Sequence, residues 1–80
     1  MDIAKIPDRL WKKVLQEESN HDYESLSLRI LLARLKLKLR MNPGTNDECI
    51  SELKGLFISQ GNLPSLQRDI EKIMAKGGLS

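Results

Sequence analysis

The sequence predicts an all-α protein, a small four-helix bundle with a long central second helix. Three observations predict it. Apolar residues recur at helical spacing in four separate segments. Polar, Pro and Gly residues around 19–22, 42–44 and 61–64 separate those segments, as helix ends and starts require. Strand formers are scarce, since Val14 is the one valine and Trp, Tyr and Phe occur once each.

The first helix is expected at about 7–18. Pro7 suits a first helical position, where its missing N–H costs nothing. Ile6, Leu10, Trp11, Val14 and Leu15 follow at helical spacing. The second is expected at about 22–41, capped by Asp22 or Asn20 and favoured by Glu24 in its first turn, with Asn42-Pro43-Gly44 as the stop. The third, at about 46–60, opens on Thr45 with Glu48 three residues on, a capping box. Cys49, Ile50, Leu53, Leu56 and Phe57 share its face, and Gly61 is expected to end it in the left-handed conformation. The fourth, at about 64–76, starts at Pro64 and gathers Leu63, Leu66, Ile70, Ile73 and Met74 on one face. Lys72 and Lys76 sit toward its negative end, and Gly77 closes it.

The second segment, "LSLRILLARLKLKLRM", alternates apolar and basic residues over 35–41, a pattern that also suits a strand. A lone strand would leave its backbone groups unpaired, so pairing would need another copy. Wound at about 100° per residue, the segment instead resolves into a helix with two apolar faces. Leu28, Leu31, Leu32, Leu35 and Leu39 form one face, and Leu26, Ile30, Ala33, Leu37 and Met41 form the opposite one. Between them run two polar stripes, Arg29, Lys36 and Arg40 on one side and Ser27, Arg34 and Lys38 on the other.

An ordinary surface helix carries one apolar stripe. Leu26, Ile30, Leu37 and Met41 together represent up to roughly 6–12 kcal/mol of burial, comparable to the whole stability of a small domain. Such a face needs a cover. Three covers are open at this point: the other three helices, a second copy in a two-fold dimer, or a helix of another protein. Sequence ranks neither face as core. The expected contact surface is Leu26, Ile30, Ala33, Leu37 and Met41. Ile58 joins it because it lies opposite the main face of its helix, and Trp11 joins it as an anchor if it is not core.

The 80 residues make one small domain at 1–80, of a size that often leans on disulfides, metals or association. One cysteine, Cys49, permits no internal disulfide, and one histidine, His21, permits no Cys/His cluster, so no metal or cofactor is expected. An unpaired cysteine suits a reducing compartment, and the mixed-charge start resembles no signal peptide, so a cytoplasmic location with no membrane partner is expected.

Catalysis is not expected. Cys49 lies on an apolar face without an evident base, and His21 sits in a polar loop. Glu17–Glu18 and Asp47–Glu48 are sequence neighbours, so on a helix they diverge rather than form an acid/base pair. No Gly-Lys-Ser/Thr follows "NPGTND", so it is no phosphate loop.

The expected function is therefore non-enzymatic protein–protein interaction, as a regulator, adaptor or docking module. The partner is the chain itself or another protein. The alternative is nucleic-acid binding, through Arg29, Arg34, Lys36, Lys38 and Arg40 or through a helix-turn-helix-like pair of the third and fourth helices. The net charge of +2, the split of the five cations between two stripes, and Asp69 and Glu71 on the would-be recognition helix all weigh against it. No aromatic side chain is interleaved with the cations to stack a base.

Overall fold

The computed structural model describes residues 3–17 and 22–78. Among them the chain is all-helical, with four α-helices: α1 (Asp8–Gln16), α2 (Leu26–Met41), α3 (Asn46–Gln60) and α4 (Pro64–Lys76). Short 3-10 turns at Ile3–Lys5 and Pro43–Thr45 precede α1 and α3. The described chain measures 32 × 23 × 22 Å.

The short α1 lies within the packing of the longer helices. It packs closely on each of the other α-helices, whereas α2 packs closely on α1 and α3. The reason is the side chains α1 carries. Leu10, Trp11, Val14 and Leu15 are all buried, and Trp11 has no exposed surface. Its ring lies 5.5 Å from that of Phe57 on α3, tilted by 43°, within the usual aromatic pairing range. The largest side chain of the protein thus sits at the centre, and the expectation of Trp11 as a surface anchor is corrected.

One apolar cluster fills the interior. Leu28, Leu31, Leu32 and Leu35 of α2 meet Cys49, Ile50, Leu53 and Phe57 of α3 and Leu66, Ile70 and Ile73 of α4. The Leu28 face of α2 is therefore the core face, with Leu39 partly buried against it.

Helix ends depart from the sequence expectations in five places. Pro7 stands just before α1, as an extended cap residue, rather than inside it. That helix also stops at Gln16, with Glu17 as an extended cap residue, short of the expected end at 18, and Glu18 itself lies outside the described residues. The cap of α2 is Ser25, whose hydroxyl accepts from the Leu28 N–H at 3.3 Å; Asp22 is three residues upstream, and Asn20 lies outside the described residues. Thr45 makes no capping box. Its hydroxyl donates back to the Asn42 carbonyl at 2.8 Å, because the Pro43–Thr45 turn runs straight into α3. Gly61 keeps φ −66°, so α3 does not end in a left-handed residue. Its side-chain-free α-carbon serves close approach instead, since a Cβ there would run into the Phe57 carbonyl.

Candidate interaction surface

The second apolar face of α2 is open. Leu26, Ile30, Leu37 and Met41 are 61%, 59%, 55% and 78% exposed, and Ala33 between them is exposed as well. Cover from the other helices is thereby overturned. The geometric reason is that α1 and α3 both approach α2 from its Leu28 side. The open residues step 4-3-4-4 along about 22 Å of helix, close to the spacing of a coiled-coil seam. Ala33 at the midpoint presents a low saddle, which lets another helix axis come near.

Toward α3 the stripe continues into a groove lined by Ser27, Ile30, Leu31, Arg34, Glu52 and Leu56. Ile58 is also exposed but faces elsewhere, onto a second groove with Ile3, Phe57, Leu66 and Ile70. The structure therefore does not bring Ile58 to the α2 stripe.

The two polar borders of the stripe differ in charge. On the α3 side, Lys38 reaches Glu48 at 2.9 Å and Glu52 at 3.2 Å, and Arg34 lies 3.6 Å from Glu52. Those two carboxylates hold the Lys38 ammonium protonated to higher pH than usual. On the other side, Lys36 donates to the Glu17 carbonyl. Lys36 and Arg40 share a groove with Leu15, Glu17, Leu39 and Pro43. The Glu17 carboxylate in that groove is engaged by Lys76 at 3.0 Å and by the Tyr23 hydroxyl at 3.2 Å. Arg29 and Arg40 make no ion pair among the described residues. The five cations thus form no single patch, and Arg34 and Lys38 already have anionic partners.

The helix-turn-helix outline fares similarly. Gln67, Arg68, Glu71 and Lys72 are exposed on α4, but Arg68 pairs with Glu24 and Lys72 donates to the Asp22 carbonyl. Asp69 is not on that surface at all. It is completely buried, and its carboxylate accepts from the backbone N–H groups of Glu24 at 2.7 Å and Ser25 at 2.9 Å. This carboxylate holds the chain extended just ahead of α2 and sets where that helix begins. The signal was present in the sequence. Leu66, Asp69, Ile70 and Ile73 fall at i, i+3, i+4 and i+7, which puts Asp69 on the apolar face of its helix.

Cys49 is buried, with Sγ 3.9 Å from the Leu35 carbonyl oxygen, and His21 lies outside the described residues. Among the described residues, no group of three His, Cys, Asp or Glu could hold a metal ion, and no helix is long and apolar enough to cross a membrane. No family model, no curated protein and no solved structure matches the chain.

Proposed function

We propose that this chain is a small non-enzymatic interaction domain, cytoplasmic, that works by presenting the open face of α2 to another helix. The observation that carries the reading is the exposure of Leu26, Ile30, Leu37 and Met41 on a protein whose other large apolar side chains are mostly enclosed. A stripe of that kind marks an interaction site more often than an idle surface. Covering it completes a helix–helix contact of the sort used in two-fold dimers and in helix-in-groove recognition. The buried, unpaired Cys49 supports a reducing compartment.

Paired substitutions test the reading. Leu32→Ala, in the core, should cost about 2–5 kcal/mol. Leu37→Glu, on the open face, should leave the monomer helical and change its stability by roughly 0.5 kcal/mol or less. It should also abolish association, whether with itself or with an added amphipathic helix, as followed by sedimentation. If Leu37→Glu unfolds the chain by circular dichroism, the face is packed in solution and the proposal fails.

A further inference from the structure

We propose that the occupant of the α2 face is a helix of another protein whose apolar stripe is bordered by carboxylates, rather than a second copy of this chain. This deepens the interaction reading above and rests on it. Charge carries the choice. Five cations and no acid lie among the sixteen residues of α2. Glu48 and Glu52 compensate the border toward α3. On the opposite border, neither Arg29 nor Arg40 makes a side-chain hydrogen bond or ion pair among the described residues, and Glu17 beside Arg40 is engaged with Lys76 and Tyr23.

A second copy brings the same acid-free helix. In an antiparallel two-fold contact each border lies along its own counterpart, which sets Arg29 and Arg40 against like charge. In a parallel contact that border meets Arg34 and Lys38 together with Glu48 and Glu52, two carboxylates that those two cations already pair. Neither arrangement brings a carboxylate that lacks a cation of its own. A helix with Glu or Asp flanking its apolar residues supplies one to each guanidinium and leaves the apolar stripe to fill the Ala33 saddle. Arg suits this role, because its planar fork matches a carboxylate.

The test uses the intact chain and two synthetic amphipathic peptides of about five helical turns. Both carry the same leucine stripe, one flanked by Glu and one by Lys. Isothermal titration at low salt should show the Glu-flanked peptide binding about tenfold tighter, with the gap narrowing as salt is added. Arg40→Glu, at an exposed position, should shrink or invert that preference, and Leu37→Ser should remove binding of both. Equal binding of the two peptides overturns the proposal while the interaction reading stands. A chain that dimerises unaided, and becomes monomeric with Leu37→Ser, overturns it in favour of a second copy. Displacement of the Glu-flanked peptide by a random-sequence DNA duplex overturns it in favour of phosphate recognition. No binding of either peptide by a monomeric chain that Leu37→Ser destabilises overturns the interaction reading as well.

Discussion

Asp69 is the residue on which the entry to α2 depends. Its carboxylate has no exposed surface and accepts two backbone N–H groups from the segment before the helix. Asp69→Ala removes the acceptor from both donors, the Ser25 N–H being buried and the Glu24 N–H partly so, and should cost roughly 2–5 kcal/mol in urea unfolding. Asp69→Asn keeps one oxygen but turns an amide NH2 toward a backbone N–H, so its cost should fall between those of alanine and wild type. Equal stability of the asparagine variant and wild type would show that only one of the two bonds contributes. Tyr23 gives a second residue-scale expectation. Burial first, then the Glu17 carboxylate beside it, disfavours the phenolate and raises the pKa of the hydroxyl. Stability held by the protonated phenol is fully present below the unfolded value of about 10 and is lost as pH climbs through the folded one. Tyr23 is the one tyrosine in the sequence, so the rise in near-ultraviolet absorbance that accompanies phenolate formation reports on it alone. The folded chain should ionise at higher pH than the urea-unfolded chain, and coincident titrations would refute this. Asp69 also shows how far residue roles were legible. Its place on the apolar face of α4 could be read from spacing, but its partners lie more than forty positions away, and no local pattern names them.

At the scale of elements, α3 offers a matched pair of glycines. Gly55 lies exposed inside the helix with nothing within 4 Å of a Cβ built on it. Gly55→Ala should therefore stabilise by about 0.5–1 kcal/mol, through lost freedom of the unfolded chain. Gly61→Ala drives a Cβ into the Phe57 carbonyl and should destabilise by about 1–3 kcal/mol as the turn toward α4 shifts. Thermal unfolding of both variants checks the sign, and equal shifts in one direction would refute the contrast. Elements themselves were the most legible level. Four helices, the two faces of α2 and the start of α4 at Pro64 follow from period and punctuation, because these depend on neighbours three or four residues apart. The ends were less legible wherever a distant or competing partner decides them. Ser25 caps α2 rather than Asp22 because Asp69 holds residues 24 and 25 out of the helix. Thr45 fails as a cap because the Asn42 carbonyl takes its hydroxyl. Which face of α2 turned inward depended on where α1 and α3 lie, which a single helix pattern does not contain.

At the scale of the whole molecule, the small core and the open α2 face are linked. A chain of 80 residues has modest stability, so cover on four large apolar side chains is a large fraction of the total. Anything that binds the folded form and not the unfolded one raises stability by mass action, by about 2.7 kcal/mol at a hundredfold excess over Kd. The identity of the cover then decides what the stability depends on. A second copy would make the melting temperature climb with the concentration of the chain itself. A helix supplied by another protein would leave it independent of chain concentration and make it climb with added partner. For a domain of this size, about 1 kcal/mol corresponds to some 4–8 °C, well within reach of calorimetry. We expect the melting temperature to be flat over a wide range of chain concentration and to rise with the Glu-flanked peptide. We expect Leu37→Glu to remove that rise without lowering the starting value. A melting temperature that climbs with the chain alone would assign the face to self-association, and Arg29 and Arg40 would then have to find their acceptors across a two-fold axis.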